Sequence, residues 1–440
     1  MGQRISSLTE GFGNQLTKKI LFTLGFLALY RIGVHVPIPG VNSEALAEFF
    51  KNQGGNLLGM FNMFSGGAAE RFSIFALGVM PYISASIIVQ LLTVIVPHLE
   101  ALSKEGDAGR KKISQYTRYG TIVIALVQGF MIARTVASSS VGATSFVSDP
   151  STTWAVLTAI SLTAGTAFVM WLGEQITDRG VGNGISLIIF CGIVAGLPRI
   201  IMSTFEKSNK GEMEIFQIAI LVAIVLLITA GVVFMEQAAR QIPIQYAKRQ
   251  VGNRVYGGQT SHLPIRINTA GVIPPIFASS LLQIPITVGQ FSQTGWVSTF
   301  INGVLIPGGW LYNLVYLSLI IFFSFFYTSI QFKPDDIAEN LKKHGGFVPG
   351  IRPGARTSEF LGRVINRLTL TGAIYLSAIC LIPSIITDQF NVQFYFGGTS
   401  LLIIVGTALE TFRQIDAHRQ SLRYEAFMKS TNIRSRGGRR

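Results

Sequence analysis

The residues whose types and spacing could support chemistry are few in this sequence. Gly180, Gly182 and Gly184 alternate within the segment 178–185, and the backbone N–H groups of such a loop could cradle a phosphate. A dinucleotide-binding loop follows a strand of a parallel sheet, whereas long apolar runs flank this segment on both sides. Since no G-x-x-x-x-G-K-[ST] motif occurs either, we predict no nucleotide site and no catalytic residues.

Metal and cofactor chemistry is not predicted either. Cys191 and Cys380 each lie inside an apolar run and lack the paired spacing of a disulfide scaffold or a metal site. The five histidines have no partner among themselves at helical spacings of three or four residues. Carboxylates are almost absent from the apolar runs, which removes the proton relay expected of many ion-coupled pumps. We therefore expect no cofactor.

The elements that must position any functional residue are membrane helices. Of the 440 residues, 13% are charged, whereas about 25% of an ordinary soluble domain is charged. This composition excludes a disordered chain, a coiled coil and a soluble multidomain enzyme. A lipid-facing segment must satisfy its own backbone hydrogen bonds, so it is a helix of about 20 apolar residues. Ten stretches are predicted to span the membrane: 20–38, 73–97, 119–137, 153–173, 185–204, 215–235, 271–290, 311–332, 368–387 and 398–412.

Three of these spans have individual features. Arg31 is the one charge well inside a span, and it lies close enough to the end of the first span to snorkel. Prolines at 274, 275 and 285 predict a kink in the seventh span. The tenth span is short, so its helix is expected to run on into the cytoplasm.

Basic residues are distributed unequally between the two sides of the membrane. With ten spans both termini lie on one side, and the loops and tails of that side hold 29 of the 36 Lys and Arg residues. The positive-inside rule then places both termini in the cytoplasm. The net charge of +14 is either the bias that every inner-membrane protein carries or a basic face that contacts anionic lipids, ribosomal RNA or an acidic partner.

A short apolar segment at 56–67 lies between the first and second spans and ends in two glycines. It is too short to cross the bilayer and is predicted to lie on the outer side. One interpretation is an interfacial amphipathic turn. The other is a re-entrant segment, which is tolerated at membrane depth only when it is buried in protein or lines a cavity.

Two cytoplasmic loops, 236–267 and 333–367, are too large and too patterned for plain connectors. The first contains β-type residues around Lys248 and Arg249, and the second presents Arg352 beside proline and glycine. Proline and glycine stiffen a turn, so a basic residue beside them is presented at a fixed tip. The loops are therefore either solvated basic loops or a docking surface for a large partner.

Several longer strings identify the chain more closely. They are MFNMFSGG at 60–67, FALGVMPYISAS at 75–86, GRKKISQYTRYG at 109–120, WLGEQITDRGVGNG at 171–184, YAKRQ at 246–250, AGVIP at 270–274, GFVPGIRPG at 346–354 and YFGGTS at 395–400. By these strings the sequence resembles the SecY family, the channel-forming subunits of the general protein-secretion translocon. The resemblance runs from about residue 15 to about residue 430.

The resemblance implies an all-α polytopic membrane protein with a central pore. Its ten transmembrane helices would form two pseudo-symmetric five-helix halves, 1–205 and 206–440. A re-entrant plug would lie at 57–71, and a lateral gate would lie between the second and third spans on one side and the seventh and eighth on the other. The second half would also carry the two large cytoplasmic loops and the basic tail 413–440.

The resemblance also assigns roles to individual residues. The pore constriction matches six aliphatic positions: Val79, Ile83, Ile185, Ile189, Ile276 and Ile403. The plug matches Leu57, Leu58, Met60, Phe61, Asn62, Met63, Phe64, Ser65, Gly66 and Gly67. Polar liners of the gate are expected at Gln90, Asn183 and Gln283, and docking cations at Lys248, Arg249, Arg254, Arg352 and Arg356. Valine at position 79, where many relatives carry isoleucine, predicts a slightly wider or more deformable ring.

The implied function is translocation of unfolded secretory proteins across the bacterial inner membrane, with sideways release of hydrophobic segments into the bilayer. Signal peptides and nascent polypeptides are the expected substrates. Because no nucleotide motif is present, the driving force is expected from a SecA-type motor ATPase or from the ribosome, both docked on the cytoplasmic loops. Small membrane subunits of the SecE and SecG type are expected to clamp the two halves.

Two other classes of function remain open on the residues alone. A secondary transporter built from inverted repeats would also have ten spans in two halves with helices broken by glycine and proline. It would place polar or ionisable groups at the midplane, where this sequence is aliphatic. An intramembrane enzyme ranks third, because no nucleophile–base pair or metal constellation can be assembled.

Overall fold

A computed structural model of the chain describes residues 2–42, 46, 62, 65–138, 140–141, 144–147, 149–211, 215–246, 249–251, 254–256, 260–291, 309–390 and 398–430. The helices are α1 (Gly2–Gly33), α2 (Met80–Ile95), α3 (Pro97–Lys104), α4 (Asp107–Ser138), α5 (Thr152–Arg179), α6 (Gly184–Asn209), α7 (Ile215–Gln237), α8 (Ile273–Phe291), α9 (Trp310–Gln331), α10 (Pro334–Lys343), α11 (Ala355–Phe390) and α12 (Gly398–Ser430). The strands are β1 (Ser140–Val141), β2 (Thr144–Ser145), β3 (Ala239–Tyr246), β4 (Arg249–Val251), β5 (Arg254–Tyr256), β6 (Thr260–Arg266) and β7 (Gly346–Phe347).

Helices that can cross a membrane dominate the described part of the chain. Six are long and apolar enough, and the bent pair α2–α3 adds a seventh if it counts as one span. In α7 the side chains of Leu226, Leu227 and Phe234 are 64%, 76% and 73% exposed, which a helix tolerates when lipid surrounds it. The chain is therefore a multi-pass membrane protein, and the count of ten spans stays a prediction.

The second span differs from its predicted bounds of 73–97. Residues 74–79 form turns and the helix begins only at Met80, because the backbone N–H of Ile74 donates to the Val36 carbonyl at 3.1 Å and Ser73 pairs with Pro37. Pro81 fits the first turn of α2, where its missing N–H costs nothing. A bend of 99° then separates α2 from α3 at Val96.

The chain divides into two compact units, Met1–Glu206 with Thr407–Arg440, and Lys207–Gly406. The predicted halves 1–205 and 206–440 stay a prediction. The continuation of the tenth span as a helix is confirmed, because α12 extends without a break from Gly398 to Ser430.

In the first unit, α4 packs between α2 and α5. Gly165 of α5 lies against the turn before α2, where a Cβ atom would collide with the Ile74 carbonyl oxygen. A buried apolar cluster that includes Phe72, Leu77 and Leu162 joins this turn to α5. The turn that leads into α2 is thus held by packing as well as by hydrogen bonds.

In the second unit, α9 packs against α8 and α11. A small sheet is formed by strands that lie between α7 and α8 and between α10 and α11 in the chain. The antiparallel sheet has the order β6–β3–β7, and β4 and β5 form a separate hairpin. Ile242 and Ile265 from the sheet pack with Leu361 and Ile365 of α11 in a buried apolar cluster. The loops 236–267 and 333–367 therefore share a folded core.

Candidate functional site

The predicted plug at 57–71 is only partly within the described residues. Leu57, Leu58, Met60, Phe61, Met63 and Phe64 lie outside the described residues, whereas Asn62 and 65–71 lie within them. We name the segment 65–71 the plug end. Its backbone is tightly turned, because the N–H of Gly67 donates to the Asn62 carbonyl at 2.9 Å and the Ala69 N–H donates to Ser65 Oγ at 3.1 Å.

The plug end is bound to α1 by two side chains. Tyr30, which is fully buried, donates its hydroxyl to the Ser65 carbonyl at 3.1 Å. Arg31 Nη1 donates to the Gly66 carbonyl at 2.8 Å. Arg31 thus has a hydrogen-bond partner within the protein, and its snorkelling stays a prediction. The two bonds satisfy consecutive carbonyl groups in a segment that has no regular secondary structure.

The plug end also lies directly against α6. Gly66 has a φ of +67°, and a Cβ atom built on it would stand 2.8 Å from the Gly192 Cα atom. Gly192 follows the predicted ring residue Ile189 by three positions, which is about 4.5 Å along the helix axis. The plug end therefore contacts α6 within one turn of a predicted ring residue.

An ion pair adds a second link between the plug end and α6. Glu70 Oε2 accepts from Arg199 Nη1 at 2.6 Å and from Asn62 Nδ2 at 3.1 Å. The Glu70 side chain is 8% exposed and that of Arg199 is 61% exposed. Asn62 Oδ1 in turn accepts from the Glu70 N–H at 2.9 Å. The carboxylate is thus buried with a charged and a neutral partner.

The ring residues of the first unit lie at the starts of α2 and α6. Val79 is the N-cap residue of α2, and the Ile83 N–H donates to its carbonyl at 3.1 Å. Residues four apart lie on one helix face, and Val79 and Ile83 are 2% and 6% exposed. Ile185 and Ile189 have the same spacing on α6, half-buried and buried respectively.

Asn183, expected as a polar gate liner, caps α6. Its Oδ1 accepts from the N–H groups of Ile185 and Ser186 at 3.2 and 3.3 Å. Asparagine is among the preferred N-cap residues, because its side chain satisfies donors that the first helical turn leaves free. The amide thus fixes where α6 begins and so where Ile185 stands.

The ring residues of the second unit lie on α8 and α12. Ile276 is in the first turn of α8 and half-buried, and Ile403 of α12 is 1% exposed. Gly406 of α12 lies so close to Val272 that an added Cβ atom would stand 2.8 Å from Val272 Cγ1. This contact holds α12 against the turn that leads into α8, within four residues of each ring position.

The approach to α8 is fixed by a buried amide. Asn268 Nδ2 donates to Glu236 Oε1 at 2.6 Å and to the Gly271 carbonyl at 3.1 Å, and both side chains are nearly inaccessible. The end of α7 is thereby bonded to the turn before Ile276.

The other predicted gate residues are less constrained. Gln90 of α2 is half-buried and donates to Ser86 Oγ at 3.1 Å. Gln283 lies in α8, and its side chain is outside the described residues. The gate assignments stay predictions.

The glycine-rich loop at 178–185 uses its N–H groups internally. Val181 donates to Thr23 Oγ1 at 3.0 Å, and Gly182 donates to Gln414 Oε1 at 2.9 Å. Gly184 donates to Thr177 Oγ1 at 2.9 Å. These bonds tie α1, α5 and α12 to the start of α6, so the alternating glycines serve helix packing in the first unit.

The predicted docking cations lie on the folded loops 236–267 and 333–367. Arg249 lies in β4 and Arg254 in β5, whereas Lys248 lies outside the described residues. Arg352 lies in the turn before α11 and Arg356 in the first turn of that helix, and both are exposed. The Arg352 carbonyl accepts from Thr357 Oγ1 at 3.0 Å, so the backbone of this tip is fixed while its guanidinium projects to solvent.

The charges of α10 change along the helix, from Asp335 and Asp336 in its first turn to Lys342 and Lys343 in its last turn. Lys343 Nζ lies 2.9 Å from Glu339 Oε1, with both side chains exposed. The ammonium of Lys343, by hydrogen bond and by charge, lowers the pKa of Glu339. Such an exposed pair adds little stability. Both of its charged groups remain accessible from solvent.

Two residues of the plug contacts were missed in the sequence. Glu70 lies within the predicted plug range without a role of its own, and the sequence assigned no role to Arg199. A signal was available for Glu70, because it is a lone carboxylate directly after an apolar segment on a side with few cations. No pattern could pair it with Arg199, because 129 positions separate them.

The comparisons with known proteins agree with one another. The family model for SecY matches residues 73–412. The protein translocase subunit SecY of Vibrio cholerae is 49% identical over 442 residues, with 99% of each chain covered.

The fold is that of solved channel structures. A SecY structure, described as showing that the plug domain stabilises the closed state of the translocation channel and maintains a membrane seal, matches with a TM-score of 0.65 and 19% identity, covering 93% of each chain. Sec61 in the canine ribosome–channel complex from the endoplasmic reticulum matches with a TM-score of 0.63 and 18% identity, covering 93% of this chain and 94% of that one.

Proposed function

The chain belongs to the SecY family, and from this we propose that it is the channel-forming subunit of a protein translocase. It conducts unfolded secretory polypeptides through its centre and releases apolar segments sideways into lipid. The chain itself is the conduit, and a SecA-type motor ATPase or a ribosome supplies the driving force. The six aliphatic ring residues and the plug are the sealing parts of this channel.

One observation carries the sealing role. The plug end contacts α6 at Gly192, one turn from Ile189, so the described part of the plug lies next to a helix that supplies two ring residues. A segment without regular secondary structure is tolerated at membrane depth only if protein buries it or it lines a cavity. The carbonyl groups of Ser65 and Gly66 accept hydrogen bonds from Tyr30 and Arg31, which supports burial of this segment in protein.

An aliphatic ring suits a substrate of variable sequence. Isoleucine and valine side chains offer no hydrogen bonds, so they conform around any residue and retain none. When the pore is empty, a hydrophobic constriction excludes water and ions by dewetting. Valine at position 79 is shorter by one methylene, and we propose that it widens the ring slightly.

Sideways release follows from the solvent that each substrate segment prefers. A signal peptide or membrane span has about 20 apolar residues, whose favourable surroundings are hydrocarbon. A seam between helices lets it leave a watery pore directly into lipid. Ser279 and Ser280 of α8 and Ser84 of α2 are buried small residues that suit a seam which packs closely and still slides.

The folded loops form the proposed docking surface for the motor or the ribosome. Arg352 stands at a tip whose backbone is fixed, and Arg249, Arg254 and Arg356 add further cations. Sec61, which this chain resembles in fold, is described in a complex with a ribosome. Ribosomal RNA and acidic protein surfaces are both matched by such cations. We further propose SecE- and SecG-type subunits beside the helices.

We place the protein in the bacterial inner membrane with both termini in the cytoplasm. The support is the distribution of cations, 29 of 36 on the side of the termini, and the bacterial origin of the translocase subunit that it resembles. The same cations would contact anionic lipids of the inner leaflet.

The decisive experiment is photo-crosslinking of a stalled secretory chain. A photoreactive amino acid is placed at Ile83 or Ile189, and the protein is reconstituted with its motor or with ribosomes. The matched controls are the same probe at Leu157 and at Leu227, which are 60% and 76% exposed on apolar helix faces.

Adducts from the ring positions and none from the controls are expected, because the polypeptide passes the ring and not the lipid-facing surface. If adducts form elsewhere in the pore and none form at the ring positions, Ile83 and Ile189 contribute to helix packing and do not contact the translocating chain. A chain that never engages the protein would return the transporter hypothesis to first place.

A further inference from the structure

Among the polar contacts of the first unit, the pair of Glu70 and Arg199 has a distinctive distribution of burial. Glu70 belongs to the plug end and is buried, whereas Arg199 belongs to α6 and is mostly exposed. The two atoms are 2.6 Å apart, which is the length of a strong charge-assisted hydrogen bond. The pair therefore links a segment of irregular backbone to a long membrane helix.

Burial makes the carboxylate dependent on this partner. An ionised carboxylate is strongly penalised in a site away from water unless charged or hydrogen-bonding groups compensate it. Arg199 supplies the charge, and Asn62 supplies one further donor at 3.1 Å. Without Arg199, the Asn62 amide would be the one remaining side-chain donor to the Glu70 carboxylate among the described residues, so moving the plug end toward water would become more favourable.

The exposure of Arg199 makes the link reversible. The Arg199 side chain is already 61% exposed, so it loses little when the pair separates, and Glu70 regains hydration once the plug end moves. Salt and water screen a half-exposed pair, which keeps its strength modest. An ion pair with these properties can separate at a modest cost in free energy.

We propose that Glu70 and Arg199 are positioning residues that fasten the plug end to α6 in the closed channel. This inference rests on the proposed plug function. Asn62 is the third member, because it bonds both the side chain and the backbone N–H of Glu70. The fastening acts beside the Arg31–Gly66 bond, which holds the same segment to α1.

A double-mutant cycle in reconstituted membranes tests the pair. Glu70→Gln keeps the shape of the side chain and Arg199→Gln removes the cation; each is expected to raise resting ion conductance about ten-fold, as for loss of one charge-assisted hydrogen bond. The double variant is expected to leak no more than either single variant, because residues that act through each other are not additive. Arg199→Lys, which keeps the charge, is expected to retain most of the seal.

Three further measurements distinguish loss of the ion pair from loss of any cation, from loss of stability and from loss of the plug. Arg134→Gln removes an exposed arginine of α4 for which the described residues offer no ion-pair partner, and its leak should stay at the native level. Unfolding temperatures of all variants are measured alongside, since a merely structural pair would lower them without a selective leak. Deletion of 57–71 tests the plug itself.

The outcomes are distinguishable. If the deletion leaks and the single variants seal normally, the ion pair is not a fastening and the plug stands. If the double variant leaks as the product of the two single effects, the residues act independently and the proposal fails. If the deletion also seals normally, the plug function fails, and the fastening fails with it.

Discussion

Replacing Gly66 with alanine tests the contact between the plug end and α6 directly. Gly66 has a φ of +67° and its Cβ position stands 2.8 Å from the Gly192 Cα atom. The neighbouring Gly67 has a φ of +86°, but a Cβ atom there would meet no atom of the described residues within 4 Å. The two positions therefore share backbone strain and differ in the contact, which makes Gly67→Ala a matched control.

The expected changes in ion leak follow from the backbone strain and from the contact with Gly192. A left-handed conformation costs an L-residue about 1–2 kcal/mol, and both variants incur it. Gly66→Ala must also open the contact to an ordinary separation, and overpacking of this kind costs about 1–3 kcal/mol. At 1.4 kcal/mol for each factor of ten, the difference corresponds to a roughly 5- to 150-fold larger resting leak for Gly66→Ala than for Gly67→Ala.

The assay is ion conductance across a planar bilayer holding the purified channel without substrate or motor. Gly66→Ala is expected to leak well above Gly67→Ala, and Gly67→Ala modestly above the native protein. Equal conductance in the two variants would refute the reasoning, because it would mean that close packing against Gly192 does not keep the plug end in place. Unfolding temperatures show whether either change acts on the whole fold instead.

Three further predictions concern other parts of the chain. Asn183→Ala should lower the free energy of unfolding by about 1 kcal/mol through loss of the α6 cap, measured by thermal unfolding in detergent. Asn183→Ser should retain most of the native stability, and equal losses in the two variants would contradict a capping role. Asn268→Ala should cost about 1–3 kcal/mol by removing the donor to buried Glu236, seen as a lower midpoint of denaturation; an unchanged midpoint would count against it. Arg352→Glu should weaken motor-driven transport with an unchanged unfolding temperature, whereas Lys111→Glu, at an exposed position of α4 outside both loops, should not weaken it. Full transport by Arg352→Glu would remove Arg352 from the docking set.

The placement of the candidate parts has a common physical theme. Glycine occurs where backbones must approach closely, as at Gly66 against Gly192, Gly165 against Ile74 and Gly406 against Val272. Without a hydrophobic driving force between helices in lipid, such close approach is a main source of packing energy. The same contacts set the positions of the turns that precede α2 and α8.

The sequence alone determined the class of the protein. Low charge, apolar runs of spanning length and the unequal distribution of cations are properties of composition and local order, so they need no knowledge of contacts. The long strings shared with the SecY family determined the function and named the ring, plug and docking positions. The continuation of α12 beyond the tenth span was likewise readable from local sequence.

The tertiary structure decided what holds those positions. The segment 73–79 is apolar enough for a helix, yet contacts with residues 36 and 37 make it a turn. Asn183 caps α6, a role not assigned to it from the sequence, and its role at the gate stays a prediction. Glu70 meets Arg199 across 129 positions. Hydrogen bonds and ion pairs depend on distances of a few ångströms, and only the folded chain brings residues so far apart in sequence within that reach.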